Sequence, residues 1–194
     1  LELELETSFN FLTVAQWGPR KNLESTIGGF ITEFASDSDV GLIIKTNMSK
    51  NNYVDKVHVE ARLQDFVKNF SNAKNMKCKI YLIHGNLDEN EMKGLYTHPK
   101  VKALISSTHG EGFGLPIFEA VLSELPVIAP CWSGHVDFLF APKKDPDTGK
   151  IKLKPHFTKI DYDISQIQKD AIVPGILQDD SQWCFPKNYS IRAG

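Results

Sequence analysis

The hydrophobic and polar positions of this chain form two alternating kinds of segment. Short apolar runs have the length and composition of buried strands, and they cover residues 9–15, 40–46, 78–83, 101–105 and 126–129. Between them, apolar residues recur every three or four positions, as on one face of an amphipathic helix. Strands that alternate with helices predict an α/β fold in which a doubly wound parallel sheet is covered by helices on both faces.

The pattern changes after Ala141. Residues 142–159 carry six lysines and several turn-forming residues, with little periodicity. We therefore expect an irregular excursion from the sheet at about 142–165, with a loop or hairpin around 145–149. Residues 183–186 predict a short last strand. The prediction is a single domain over 9–194, preceded by a linker or an appended segment over 1–8, where Leu and Glu alternate.

Composition narrows the class of protein. The net charge of −2 gives no overall attraction for nucleic acid, and no apolar run approaches the length of a transmembrane segment. Cys78, Cys131 and Cys184 are far apart and lack metal-ligand spacing, which predicts reduced thiols. We expect a cytoplasmic protein, with the cytosolic face of a membrane as an alternative location for a full-length chain.

The most informative stretch follows the fourth apolar run. Three glycines within residues 110–114, and then Pro116, predict a tight turn that leads from a strand into a helix. Backbone N–H groups and the positive helix end at such a turn attract anions, usually phosphates. Glu111 and Glu119 flank the turn, with seven residues between them. The turn therefore predicts a ligand that is both anionic and rich in hydroxyl groups, such as a nucleotide sugar.

Two further loops follow predicted strands and should meet the turn at the carboxyl edge of the sheet. The first contains Arg20 and Lys21, and the second contains His84 and Gly85. Basic side chains that converge on backbone N–H groups form a diphosphate site. The plain alternatives are a solvated basic pair ahead of a helix and a tight turn that binds nothing.

Two further kinds of site, for a dinucleotide and for a metal ion, have little support in the sequence. The glycines do not have the G-x-G-x-x-G spacing of a dinucleotide site. The Asp-x-Asp pairs at 145–147 and 161–163 match a metal-binding pattern of some sugar transferases, but the first lies in a turn where aspartates are expected. We predict no metal site.

The stretch 109–120 resembles the signature of the retaining, GT-B-fold glycosyltransferases of family 4. That pattern is Glu, seven residues and Glu, with Gly-aromatic-Gly-Leu-Pro inside, and here it runs from Glu111 to Glu119. Residues 125–129 and the opening strand with Lys21 extend the resemblance over roughly 9–140. It implies a Rossmann-like domain, the C-terminal, nucleotide-sugar-binding half of a GT-B architecture.

The resemblance also implies roles for single residues. Lys21 and Arg20 would contact the donor diphosphate, although Gln16 stands where the family usually has a second basic residue. Glu111 is the catalytic candidate that contacts hydroxyls of the transferred sugar, and Glu119 would bind the ribose. The remaining assignments are backbone contacts to the diphosphate or sugar from Gly112, Phe113, Gly114 and Leu115, and proximity to the base for His84 and Gly85.

The implied function is transfer of a sugar from a nucleoside-diphosphate sugar, with retention and with no required cofactor. The acceptor would be a saccharide, a lipid-linked molecule or a small molecule, held mainly by an N-terminal domain that is absent from these 194 residues. We therefore expect this chain alone to bind donor without transferring sugar. The alternatives are a non-catalytic nucleotide- or sugar-binding module of the same fold and a sugar-nucleotide epimerase.

Overall fold

The computed structural model describes residues 2–70 and 73–193, and its regular elements follow one another as the sequence pattern indicates. The strands are β1 (Phe9–Val14), β2 (Val40–Thr46), β3 (Lys79–His84), β4 (Val101–Ile105), β5 (Val127–Pro130), β6 (Phe140–Lys144), β7 (Ile151–Pro155), β8 (Thr158–Ile160), β9 (Tyr162–Gln166) and β10 (Gln182–Pro186). The helices are α1 (Leu23–Phe34), α2 (Tyr53–Lys68), α3 (Glu89–Tyr96), α4 (Leu115–Leu122) and α5 (Asn188–Ala193).

Six strands form one parallel sheet in the order β3-β2-β1-β4-β5-β8. The chain moves outward from β1 through β2 to β3 and then returns to the other side of β1 with β4. This reversal places the carboxyl ends of β1 and β4 side by side, and the loops that follow them diverge to opposite faces. A crevice at such a switch point is the usual ligand site of an open α/β sheet.

The core consists of two apolar layers, one on each face of the sheet. Alternate residues of β2 separate them, because Leu42 and Ile44 belong to one layer and Ile43 to the other. Helices α1, α2 and α5 cover the first layer, and α3 and α4 cover the second. This confirms the predicted Rossmann-like α/β fold with helices on both faces.

The lysine-rich region contains more regular structure than its sequence predicts. Strands β6 and β7 form an antiparallel hairpin around the predicted turn. Strand β8, within the expected excursion at 142–165, instead extends the main sheet beside β5. Only Ile160 of this three-residue strand is buried, so the strand has no apolar run that would predict it. Strand β9 pairs with β10 in a separate antiparallel hairpin.

Both ends of the described chain pack on the domain. Leu5 is buried in the layer under α4, and Thr7 hydrogen-bonds to Asn10, so the segment 1–8 predicted as a linker or appendage includes packed residues. At the other end, Ile191 of α5 packs closely on Gly29 of α1. Within residues 2–70 and 73–193, no helix is both long and apolar enough to cross a membrane.

Candidate functional site

The loops after β1 and β4 meet at the switch point and are held together by hydrogen bonds to backbone carbonyls. A short 3₁₀ turn, Pro19–Lys21, follows β1 and presents its two basic side chains. The N–H of His109 donates to the carbonyl of Arg20 at 2.9 Å, and the Asn22 amide donates to the carbonyl of Ser107 at 3.0 Å. The basic loop and the glycine turn, predicted separately, therefore form one structural unit.

Glu111 is the centre of a charged cluster in this crevice. Lys21 Nζ lies 2.7 Å from both carboxylate oxygens of Glu111, and Arg20 Nη1 lies 3.1 Å from Oε2. The Glu111 side chain is only 8% exposed, whereas that of Arg20 is 42% exposed. Burial by itself would raise the pKa of Glu111, but hydrogen bonding and attraction to Lys21 and Arg20 outweigh burial and lower that pKa. Glu111 is therefore an ionised acceptor beside two cations.

The glycine turn presents backbone to solvent next to this cluster. Gly114 has a φ of +86° and precedes the first residue of α4, where no side chain caps the helix. A Cβ at Gly112 would have no neighbour within 4 Å, and the Phe113 and Leu115 side chains are exposed. The turn is thus exposed at Gly112, Phe113 and Leu115, whereas Gly114 is buried beside His135. It stands at a helix N-terminus, where N–H groups lack intrahelical partners and favour an anion.

Ser133 and Gly134 hold the glycine turn in place, a role that the sequence analysis did not assign to them. The Glu111 N–H donates to Ser133 Oγ at 2.7 Å, and the Gly134 N–H donates to the Glu111 carbonyl at 3.0 Å. A Cβ at Gly134 would lie 1.8 Å from the carbonyl oxygen of Gly112. Only glycine permits this approach, so the glycine in Ser-Gly-His was the available sequence signal.

His109 is buried under the second hairpin. Its ring stacks on Trp183 with 4.8 Å between centroids and 10° between planes, and Nδ1 donates to the Cys184 carbonyl at 2.5 Å. Burial lowers the pKa of His109, which favours the neutral ring. Strand β10 therefore packs against the loop after β4, through a contact across 75 residues that no local pattern predicts.

Glu119 lies apart from the charged cluster. Its half-buried carboxylate accepts a hydrogen bond from the Tyr96 hydroxyl at 2.9 Å, in a groove between α3 and α4 that Leu87 and Met92 also line. Burial, and then the nearby Glu119 carboxylate, raise the pKa of Tyr96 well above its usual value. Among the residues described, the structure brings Glu111 to Lys21 and Arg20, and it brings Glu119 to Tyr96.

The two residues predicted to lie near the base, His84 and Gly85, have different environments. His84 Nε2 lies 2.8 Å from Asp55 Oδ2, and both side chains are almost fully buried. Asp55 also accepts N–H bonds from residues 48–50; the His84 contact and these bonds hold the pKa of Asp55 well below its usual range. The His84 ring therefore fixes the loop after β2 and is not a free ligand-side histidine. Gly85, with φ of +105°, has open space beside it.

Three of the four aspartates in the two Asp-x-Asp patterns have partners for their side chains within the domain. Asp145 accepts the N–H groups of Asp147 and Thr148 in the hairpin turn. Asp161 accepts from the Tyr189 hydroxyl, and Asp163 pairs with Lys187. In the part of the chain that the structure describes, no cluster of three His, Cys, Asp or Glu residues has a metal-binding arrangement.

Solved structures with this architecture come from glycosyltransferases. The GtfA/B complex has a TM-score of 0.51 and 18% identity over 81% of this chain and 26% of its own. The apo structure of OtsA has a TM-score of 0.52 and 13% identity over 70% of this chain and 32% of its own. The chain therefore has the fold of a GT-B C-terminal domain. No protein-family model and no curated protein matches the sequence.

A third structure adds a ligand to the comparison. It is described as "Trehalose-6-phosphate from E. coli bound with UDP-2-fluoro glucose", and it has a TM-score of 0.51 and 10% identity over 69% of this chain. The present chain spans about a quarter to a third of the length of these three proteins, with coverages of 26%, 32% and 32%. At these identities the likeness concerns the GT-B C-terminal fold.

Proposed function

We propose that this chain is the donor-binding domain of a retaining glycosyltransferase of family 4, which moves a sugar from a nucleoside-diphosphate sugar to an acceptor. The observation that carries the proposal is the cluster of Glu111, Lys21 and Arg20 against an open glycine turn. Cations and free N–H groups suit a diphosphate, and an ionised carboxylate between them suits sugar hydroxyls. A trehalose-6-phosphate synthase structure of this fold is described for glycosyl transfer with retention, which supports the choice of chemistry.

In this proposal the diphosphate binds where the cations and the turn converge. Arg20 is the more exposed cation and meets the phosphates first, and Lys21 shares its ammonium between Glu111 and a phosphate oxygen. When the bond between the anomeric carbon and the phosphate oxygen breaks, the electron pair goes to that oxygen. The two cations and the N–H groups at 112–115 stabilise the new negative charge without reorganising.

Glu111 would then act on the transferred sugar. Two cations hold the Glu111 carboxylate, and hydrogen bonds at the backbone N–H and carbonyl hold the residue itself. An acceptor held this firmly orients hydroxyl groups of the sugar and favours the positive charge that develops at the anomeric carbon.

The nucleoside is proposed to extend from the turn toward the groove between α3 and α4. Glu119 would accept bonds from the ribose hydroxyls, with the Tyr96 hydroxyl holding its carboxylate in place. The base would lie by Gly85, beside which there is open space. His84, which pairs with Asp55, fixes the neighbouring loop after β2.

A calorimetric comparison tests the ribose assignment. UDP and a UDP analogue that lacks the ribose hydroxyls are titrated into the native chain and into Glu119→Gln. We expect the analogue to bind the native chain about tenfold more weakly, a loss of roughly 1.4 kcal/mol, and the two ligands to bind Glu119→Gln almost equally. An unchanged preference for UDP in Glu119→Gln would contradict the ribose role.

A transfer assay tests whether donor binding and acceptor binding belong to different domains. We propose that the acceptor is held mainly by an N-terminal domain, so the 194-residue chain should bind donor without moving radiolabelled sugar to saccharide, lipid or small-molecule acceptors. Transfer by this chain alone would refute that division. Conversion of the donor sugar to its epimer would favour an epimerase, and nucleotide binding without transfer in any longer chain would favour a binding module.

A further inference from the structure

The hairpin of β6 and β7 has no packing partner along most of its length in the structure described. All five residues of β7 are exposed, as are the last three of β6. The base is anchored, because Phe140 packs on Phe157 and its ring lies 5.1 Å from Lys159 Nζ. An isolated two-stranded ribbon is at best marginally stable in water, so a ribbon that projects in this way suits a surface that covers it.

The strand register gives this ribbon two different faces. Residues directly opposite each other in an antiparallel pair share a face. Pro142 pairs with Leu153 and Lys144 pairs with Ile151, which makes one face largely apolar. The Leu153 side chain is 69% exposed and that of Ile151 is 71% exposed. Two neighbouring aliphatic side chains are therefore presented to solvent.

The opposite face of the ribbon is basic. Lys143 lies directly across from Lys152, and Lys154 is the next residue on that face. Like charges directly opposite each other disfavour strand pairing, and an anionic partner would relieve this repulsion. The hairpin as a whole has five lysines and only two aspartates, in a chain whose net charge is −2. The positive charge is therefore concentrated on the hairpin and is not a property of the whole chain.

We propose that this hairpin docks on the surface of an anionic lipid bilayer. Ile151 and Leu153 enter the boundary between head groups and acyl chains, and the long lysine side chains reach past the edges of the narrow ribbon to the head groups. The two aspartates lie in the turn, which keeps the tip away from the lipid, so the ribbon lies along the surface. The aliphatic pair favours a bilayer over a soluble polyanion, which would use the lysines alone. The docking is independent of the donor site.

Vesicle flotation tests the docking with the native chain. The probes are vesicles of phosphatidylcholine alone and vesicles in which about a third of the lipid is phosphatidylserine. We expect flotation with the anionic vesicles only, and weaker flotation as salt is added. Two variants, K143Q/K152Q/K154Q and I151S/L153S, should each lower the partition coefficient by about tenfold or more. Circular dichroism verifies that each variant is folded.

The matched control removes three exposed lysines elsewhere, in K50Q/K74Q/K169Q, which should float like the native chain. Equal loss in this control would overturn the proposal, because the attraction would then belong to overall charge. Absence of native flotation would also overturn it. If I151S/L153S floats normally while the lysine variant does not, the lysines act alone; tight binding to a soluble polyphosphate would then identify a polyanion site in place of a lipid one.

Discussion

At the scale of single residues, the site depends on a buried carboxylate whose charge is balanced by two cations. Glu111 accepts from Lys21 at 2.7 Å and from Arg20 at 3.1 Å, and its backbone is held by Ser133 and Gly134. Its residue type and spacing were predictable from the sequence. The brace was not, because it joins positions more than 20 residues apart, through the Ser133 hydroxyl and the Gly134 N–H.

The lowered pKa of Glu111 predicts a pH-dependent contribution to stability. This contribution is complete above the unfolded pKa of about 4.3, and it is lost as the pH falls through the lower folded pKa. Thermal melts of the native chain and Glu111→Gln between about pH 3 and 7 should therefore differ most near neutrality and converge in acid. Glu60→Gln, which changes a side chain that is 43% exposed, supplies the control. A difference that grows toward low pH would contradict the ion cluster.

Gly134 offers a steric test of the brace. A methyl group there would overlap the Gly112 carbonyl oxygen at 1.8 Å, so Gly134→Ala should displace the turn and lower the free energy of unfolding by about 1–3 kcal/mol. Gly18→Ala, whose added methyl would meet nothing within 4 Å, should change it by less than about 0.5 kcal/mol. Chemical denaturation measures both. Equal effects of the two substitutions would show that the turn is not braced as described.

At the scale of elements, apolar runs predicted the strands that are buried on both faces, and they failed where strands are short or exposed. β1, β2 and β4 are predominantly apolar because helices cover both faces of the sheet, although Asn10, Lys45 and Lys102 interrupt them. β8 has one buried residue and β9 mostly exposed ones, so tertiary pairing, and not local pattern, defines these strands. The predicted hairpin turn at 145–149 had a local signal, and it is present.

The two-layer core predicts a large contrast between isoleucines. Ile43 is fully buried under α3 and α4, so Ile43→Ala should lower the free energy of unfolding by about 2–5 kcal/mol. Ile151→Ala, in the exposed hairpin, should change it by less than about 0.5 kcal/mol. Urea denaturation checks the pair. A small effect at Ile43 would contradict the layer assignment.

At the scale of the whole molecule, strand order converts scattered sequence features into one site. The reversal between β1 and β4 brings Lys21 and Glu111 together across 90 residues, and β10 then covers His109. The meeting of the loops after β1 and β4 at the carboxyl edge of the sheet could be predicted from the alternation of strands and helices, together with the glycine turn, but the strand order that creates the switch point could not. The separate positions of Glu111 and Glu119 could not, because the Tyr96 contact depends on how α3 packs against α4.

The most direct test of the donor site is calorimetric titration of nucleoside diphosphates into the native chain, Lys21→Gln and Lys79→Gln. Lys79 pairs with Glu6 at the far edge of the sheet and serves as a control of equal charge. We predict that the native chain and Lys79→Gln bind alike, whereas Lys21→Gln binds at least about tenfold more weakly, through loss of a charged hydrogen bond. Equal binding by all three chains, or none by the native chain, would contradict the diphosphate site at the glycine turn.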